Sequence, residues 1–184
     1  NLSDNYLKKK IKRKKKINKI LVIAAYKKEK GYLDIIKVAE ILKRQKIKIE
    51  CYGYGNNGRY RSLKIKKELN NIYFNNFDKN LNNKIKNYDI LVHLSKREGL
   101  PVSVMQSLSE GLPVICYNIR GNNDLIKDKH NGYFVKSYKD VPKKIYYLNL
   151  KEKVFNTMRM NAIKSINEDF SKEKINFNIY NIIK

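Results

Sequence analysis

The sequence predicts an α/β fold with a Rossmann-like layout, in which a parallel sheet carries helices on both faces and an all-helical C-terminal tail follows. Short, mainly apolar segments of strand length alternate with longer segments whose apolar residues have helical spacing. This alternation is typical of right-handed crossovers between parallel strands that are buried on both faces. The 184 residues, 42% of them hydrophobic, suffice for one well-buried domain.

In the first half of the chain, apolar runs and helical repeats follow one another closely. The run "KILVIAAY" has the length of a buried strand, and the segment "YLDIIKVAEILKRQ" after it places its apolar residues at near-helical spacing. The same pair of patterns returns in "IKIECYG" and "YRSLKIKKEL", and again in "NIYFN" and "LNNKIKN". The predicted strands are 19–26, 47–53 and 71–75, and the predicted helices are 32–45, 60–69 and 81–87.

The second half repeats the alternation and then becomes helical. A helix is expected to have Pro101 in its first turn, where a missing N–H costs nothing. From Lys139 onward every segment has a helical pattern. The predicted strands are 89–95, 112–117 and 132–135, and the predicted late helices are 141–150, 151–170 and 172–184.

The charge balance is strongly basic, since 41 Lys and Arg against 17 Asp and Glu give a formal net charge of +24. Such a charge favours anionic partners, namely nucleic acid, nucleotide phosphates or an anionic membrane surface, and does not choose among them. The opening run of lysines has no interleaved aromatic residues that could stack on bases. We therefore predict a basic linker over 1–17 and a folded domain over 18–184.

The cysteines and histidines give little sign of chemistry. Cys51 and Cys116 lie far apart without CxxC spacing or neighbouring His, so we expect buried free thiols and no metal site. His93 lies in an apolar strand, which favours a packed core histidine over a catalytic one. His130 is expected in a turn before Asn131.

The segment "SKREGLPVSVMQSLSEGLPV" sets an acid and a glycine between a strand and a helix. In parallel α/β sheets, ligands bind at the carboxyl ends of the strands, where helix N-termini present N–H groups to phosphate. Gly99 would let a ligand approach the backbone, and Glu98 could accept hydrogen bonds from hydroxyl groups. The turn would then serve a diphosphate and a sugar together. A tight strand-to-helix turn without a ligand is the alternative.

The stretch "LSKREGLPVSVMQSLSEGLPVICYNIRGNNDLI", with "LVIAAYKKEKG" upstream and "NGYFV" downstream, resembles the donor-binding, C-terminal half of the GT-B retaining glycosyltransferases of family GT4. The resemblance implies that Glu98 contacts hydroxyls of the donor sugar and that Lys30 pairs with the donor phosphates. Both would be catalytic residues. The donor-binding residues that it implies are Gly99, Leu100, Pro101, Val102, Gln106, Gly53, Gly55, Asn76 and Phe77.

Two positions depart from the family pattern. Gln106 stands where the family usually has a second Glu for the ribose hydroxyls, and the lost charge-assisted hydrogen bond would be worth about 1 kcal/mol. Glu110, one helical turn on, could replace it, although an exposed residue at the helix end is favoured. Ala25 stands where many members carry Arg, and Lys27 or Lys28 could supply that charge.

The loop "RGNND", 120–124, follows a predicted strand end. It could approach the donor sugar. Equally, it could be a plain loop that ends in an Asx-capped helix start.

The resemblance implies transfer of a sugar from a UDP- or GDP-linked donor to a glycan or lipid-linked acceptor, with retention, in surface polysaccharide biosynthesis. It implies no metal and no cofactor, and we expect no nucleic-acid partner. The acceptor would be held by an N-terminal domain that these residues do not resemble, so we expect the chain alone to be inactive.

With no membrane-spanning apolar run and no secretory signal pattern, we expect a cytoplasmic protein that can lie at the inner face of the plasma membrane. The alternatives are a non-catalytic, degenerate glycosyltransferase subunit and a basic nucleic-acid-binding α/β module.

Overall fold

The computed structural model describes residue 14 and residues 16–169, and these form an α/β domain around one six-stranded sheet. All strand pairs are parallel. The strands are β1 (Lys19–Ile23), β2 (Lys48–Gly53), β3 (Ile72–Asn76), β4 (Ile90–His93), β5 (Val114–Tyr117) and β6 (Gly132–Val135). The predicted α/β class with a parallel sheet is confirmed.

The strand order across the sheet is β3-β2-β1-β4-β5-β6. From β1 the chain first builds outward through β2 and β3, and then returns to place β4 on the other side of β1. The direction of winding therefore reverses between β1 and β4. In open parallel sheets, such a switch point leaves a crevice at the carboxyl ends of the two strands, and ligands bind there.

Helices connect the strands and then form the late part of the chain. They are α1 (Tyr32–Ile41), α2 (Gly58–Lys66), α3 (Leu81–Lys84), α4 (Val102–Ser109), α5 (Asp140–Leu150) and α6 (Glu152–Asp169). Two 3-10 turns, Lys28–Lys30 and Ile85–Asn87, precede α1 and follow α3. The predicted helix 172–184 lies outside the described residues. No helix of the described part is long and apolar enough to cross a membrane.

Two layers of buried side chains cover the sheet, as continuously apolar strands require. On one face, the side chains of Ile20, Val22 and Val92 pack with those of α1 and α5. On the other face, Leu21 and Leu91 pack against α4 and its neighbours. Successive residues of each strand thus contribute to opposite layers, which fixes the side to which each strand residue points.

Several elements are shorter than their sequence patterns suggested, because backbone turns end them before the apolar pattern does. The first strand ends at Ile23, and the side chain of Tyr26 turns inward to donate a hydrogen bond to the Cys51 carbonyl at 3.1 Å. Helix α2 ends at Lys66, and Glu68 adopts a left-handed conformation with φ 51°. Leu69 follows this turn and lies outside the helix. It was predicted as helical because its side chain is apolar, and that side chain is indeed buried.

The described end of the predicted basic linker packs on the domain. Ile17 is fully buried, and its N–H donates to Asn149 Oδ1 at 2.7 Å. Lys14 forms an ion pair with Asp89 at 2.5 Å. Residues 1–13 and 15 of that segment lie outside the described residues.

Candidate active site

A cleft of about 1030 Å³ opens at the carboxyl ends of β1, β4 and β5, at the switch point of the sheet. Its lining comes from the loops that follow these three strands. The lining residues are Ala25, Lys27, Glu29, Lys30, Lys96, Arg97, Glu98, Gly99, Leu100, Ile119, Arg120 and Asp124. Five of these twelve side chains are cationic, so the cleft suits an anionic ligand.

Backbone contacts hold the loop after β1 against the loop after β4. The carbonyl of Glu29 accepts a hydrogen bond from the Lys96 N–H at 2.8 Å. Gly31 follows with φ 76°, and a Cβ at this position would overlap the backbone carbonyl of Leu94. A glycine is therefore needed for both the backbone conformation and the close approach of the two loops. This approach places the Lys30 side chain beside Glu98.

Lys30 and Glu98 form an ion pair inside the cleft. Lys30 Nζ lies 2.7 Å from Glu98 Oε1, and the two side chains are 21% and 12% exposed. The same oxygen lies 3.2 Å from Nε2 of His93, the last residue of β4. The two residues that the sequence selected as catalytic are thus brought together, with His93 added to them.

The surroundings of Glu98 keep its carboxylate ionised. Burial alone would raise the pKa of this carboxyl group, which is ordinarily 4.5. The contacts with His93 and Lys30, with a smaller effect of Ser95, outweigh burial and lower the pKa to about 2. An acceptor for hydroxyl groups is therefore present at every pH near neutrality.

The lowered pKa of Glu98 predicts an acid-dependent loss of stability. A carboxyl group with a lower pKa in the folded state stabilises the fold above its unfolded pKa, near 4.5, and this stabilisation disappears as the pH falls toward 2. For Glu98 it amounts to about 2–3 kcal/mol. We expect Glu98→Gln to lower the free energy of unfolding at pH 7 by about this amount, and we expect its difference from the wild type to narrow as the pH falls below 4.5. Urea unfolding between pH 7 and pH 3 measures the difference.

The matched control is Glu29→Gln, which changes an exposed carboxylate of the same cleft. Its difference from the wild type should stay small at all pH values. Glu50, whose pKa is also lowered, is present in both proteins and cancels from the comparison. A difference between Glu98→Gln and the wild type that is independent of pH would contradict the prediction.

The turn after Glu98 is shaped by contact with the loop after β5. Gly121 has φ 83°, and a Cβ on it would overlap the Gly99 carbonyl oxygen and lie 3.3 Å from Pro101 Cδ. Helix α4 begins at Val102, so Pro101 lies one residue before the helix rather than inside its first turn as predicted. Its extended ψ of 105° makes it the N-cap residue, and its carbonyl accepts from the N–H of Val104 and Met105.

The predicted donor-binding residues divide into two groups. Gly99 and Leu100 line the cleft, while Pro101 and Val102 follow directly after them. Gln106 is half-buried on α4 and does not line the cleft, and Glu110 is half-buried at the end of this helix rather than exposed as favoured. Gln106, the residue that the resemblance places at the ribose of the donor, therefore does not line the cleft.

The remaining predicted donor-binding residues lie beyond the cleft, where β2 and β3 end. Gly53 is the buried last residue of β2, and Gly55 follows in a turn with φ 96°. Asn76 ends β3 and accepts a hydrogen bond from Asn57 at 3.3 Å. The ring of Phe77 stacks on that of Tyr54 at 3.9 Å, and both rings are exposed. This aromatic pair was not predicted, because Tyr54 is one of 14 tyrosines and only the strand pairing brings it to Phe77.

The lining of the cleft includes residues from two regions where the sequence left alternatives open. Ala25 lines it, and Lys27 rather than Lys28 reaches it as the nearby cation. The loop 120–124 contributes Arg120 and Asp124, and no helix begins there among the described residues. Sequence reasoning missed Lys96 and Arg97, although both directly precede the acid that was selected.

Both histidines occupy the expected kind of place. His130 is an exposed turn residue, and its N–H donates to the Lys127 carbonyl. His93 is a buried strand residue, but its contact with Glu98 was not predicted from the sequence. Both cysteines are buried free thiols as predicted. Within residues 14 and 16–169, no group of three His, Cys, Asp or Glu side chains could hold a metal ion.

A Rossmann-like domain with a lysine, an acid and a glycine turn at its switch point has the architecture of the C-terminal domain of GT-B glycosyltransferases. A family model described as glycosyl transferases group 1 matches residues 4–165. The chain therefore belongs to the group 1 glycosyltransferases.

Individual relatives match different shares of this chain, and each match covers a minor part of the relative's own length. The crystal structure of a point mutant of S. aureus TarM, in complex with fondaparinux, alpha-GlcNAc-glycerol and UDP, superposes with a TM-score of 0.82 at 22% identity and covers 93% of this chain. A UDP-Gal:alpha-D-GlcNAc-diphosphoundecaprenol alpha-1,3-galactosyltransferase of Escherichia coli is 40% identical over 53 residues, which are 29% of this chain. A poly(glycerol-phosphate) alpha-glucosyltransferase of Bacillus subtilis (strain 168) is 26% identical over an alignment of 129 residues, and this match covers 65% of the present chain. The matched regions are 37%, 14% and 19% of these relatives.

Proposed function

We propose that this chain is the donor-binding domain of a retaining glycosyltransferase that transfers a sugar from a UDP- or GDP-linked donor to a glycan or lipid-linked acceptor. The observation that carries the proposal is the 2.7 Å ion pair between Lys30 and Glu98 in the cleft at the switch point. It joins a cation suited to a diphosphate with an ionised acid suited to sugar hydroxyls. A site for phosphate alone would gain nothing from the acid.

Donor binding would exchange the partners of this ion pair. Lys30 would turn its ammonium group from Glu98 to the diphosphate, where the exposed side chains of Lys27 and Arg97 supply further positive charge. Glu98 would then accept hydrogen bonds from the hydroxyl groups of the sugar. The backbone N–H groups at the start of α4 are free of intrahelical partners and suit the phosphate oxygens.

Sugar transfer places negative charge on the leaving diphosphate. Fixed cations and N–H groups that lie around this charge lower the barrier, because they need no reorganisation as the bond breaks. In the proposed mechanism Lys30 and the N–H groups near Leu100 supply this stabilisation without a metal ion. Titration in the presence of EDTA tests that part of the proposal.

The acceptor side lies outside the site described above. We propose that an N-terminal acceptor domain completes the cleft and that this chain alone turns over little or no donor. The names of the two bacterial relatives specify α-linked transfer to GlcNAc-diphosphoundecaprenol and to poly(glycerol phosphate). These names support retention and a role in surface polysaccharide biosynthesis. The net charge of +24 supports a cytoplasmic protein that works at an anionic membrane surface.

The proposed function is tested by calorimetric titration of this chain with UDP, GDP and a short oligonucleotide in EDTA, at several salt concentrations. We expect saturable binding of UDP or GDP with one site, and only weak binding of the oligonucleotide, which is lost as salt rises. Glu98→Ala should weaken a sugar nucleotide about ten-fold or more, because the acid contacts the sugar. The free nucleotide should bind at least as well as it binds the wild type, because Lys30 no longer has to leave an ion pair and no carboxylate repels the diphosphate.

The alternative of a nucleic-acid-binding module makes the opposite prediction. If the oligonucleotide binds tightly with a steep salt dependence, and sugar nucleotides bind no better than inorganic phosphate, then the proposed function is wrong.

A further inference from the structure

His93 is a buried polar side chain at the carboxyl end of β4. It is 3% exposed, and it pairs in register with the buried Cys116 of β5. The alternation along β4 places it on the same face as Leu91, in the layer covered by α4. A polar ring at such a place costs free energy unless it has a hydrogen-bond partner.

The carboxylate of Glu98 lies next to this ring. Nε2 of His93 lies 3.2 Å from Oε1, within ion-pair distance, yet the contact falls short of a well-formed hydrogen bond. The oxygen is the one that Lys30 holds at 2.7 Å. Two nitrogen groups therefore approach one carboxylate oxygen, and Lys30 Nζ is the closer of the two.

The two nitrogen groups differ in mobility. Lys30 lies on a short 3-10 turn in the cleft, and its long side chain is 21% exposed, so its ammonium group is free to turn toward a phosphate. His93 has only two side-chain torsions, and its side chain is 3% exposed, so its ring has little room to turn. If Lys30 moves from Glu98 to a diphosphate, His93 remains next to the Glu98 carboxylate.

We propose that His93 is a positioning residue, which donates its Nε2–H to Glu98 and holds this carboxylate toward the donor sugar while Lys30 binds the diphosphate. The inference rests on the proposed function, because it gives Glu98 and Lys30 separate parts of one donor. It predicts that His93 acts on the sugar through Glu98 and has no effect on the nucleotide itself.

The test compares the dissociation constants of UDP and of UDP-glucose, UDP-galactose and UDP-N-acetylglucosamine, with the GDP series in parallel. His93→Leu should weaken the best-bound sugar nucleotide about ten-fold and change the free nucleotide by less than about two-fold. His93→Gln retains an amide N–H at similar reach and should restore most of the affinity. In the Glu98→Ala background, His93→Leu should cause no further loss.

The matched control is His130→Gln, which changes the second of the two histidines at an exposed turn outside the cleft. It should leave every constant unchanged. If His93→Leu does not fold, His93→Asn replaces it, because the shorter amide fits the space without reaching Glu98. Thermal unfolding of each variant establishes that the titrated protein is folded.

The outcomes separate this inference from the proposed function. If the wild type binds no sugar nucleotide, or if Glu98→Ala weakens the free nucleotide as much as the sugar nucleotide, the proposed function fails. If Glu98→Ala selectively weakens the sugar nucleotide but His93→Leu binds it like the wild type, only the role of His93 is overturned. Equal losses for both ligands in His93→Leu would indicate a purely structural role and would also overturn it.

Discussion

Nucleotide affinity should fall about 30-fold when Lys30 is replaced by Ala. The lysine is the cation of the cleft that lies closest to Glu98, and its side chain is largely shielded from water. A hydrogen-bonded charge pair of this kind contributes about 1.5–3 kcal/mol, which corresponds to about ten- to one-hundred-fold in a dissociation constant. The loss has a second cause, since Glu98 without Lys30 would repel the diphosphate. Calorimetric titration with UDP or GDP measures the change.

The neighbouring lysines give controls for this prediction. Lys28 lies on the same 3-10 turn but does not line the cleft, so Lys28→Ala should change the affinity by less than about two-fold. Lys27 lines the cleft and is exposed, and its replacement by Ala should have an intermediate effect. Equal losses in the Lys28 and Lys30 variants would mean that general charge, rather than the position of Lys30, attracts the nucleotide.

The fold class could be predicted from the sequence because its signal is repeated. Six apolar runs with helical segments between most of them leave few arrangements other than a parallel sheet. Element ends could not be predicted to the residue, because they depend on backbone turns such as the one at Glu68, which has no side-chain signature.

The site could be predicted in part. Glu98 and its glycine turn could be predicted because they form one continuous motif at a strand end. The contact between Lys30 and Glu98 joins residues 68 apart in the chain and exists only because β1 and β4 are neighbours in the sheet. The resemblance supplied Lys30, while the strand order explains why it belongs there. The contact between His93 and Glu98 was not predicted, because a histidine in an apolar strand has the same sequence pattern whether or not an acid lies next to it.

Replacing Gly121 by Ala should destabilise the domain and disorder the turn that carries Glu98. Alanine at φ 83° costs about 1–2 kcal/mol, since its Cβ crowds the backbone in the left-handed region. The overlap of that Cβ with the Gly99 carbonyl adds a further cost, because backbone rather than a flexible side chain must move. We expect the free energy of unfolding to fall by about 2–4 kcal/mol, measured by urea denaturation at pH 7.

Gly99→Ala is the matched control, because it adds the same methyl group on the other side of this contact. A Cβ at Gly99 would meet no atom within 4 Å, so the fold should tolerate it with a change of less than about 0.5 kcal/mol. Gly99→Ala serves as a control for stability alone, because Gly99 itself lines the cleft. Gly121→Ala should weaken sugar nucleotides even where the protein is fully folded, since the turn that it displaces carries both Glu98 and the start of α4. If Gly121→Ala were as stable as Gly99→Ala, the loop after β5 could not be what holds the acid in the cleft.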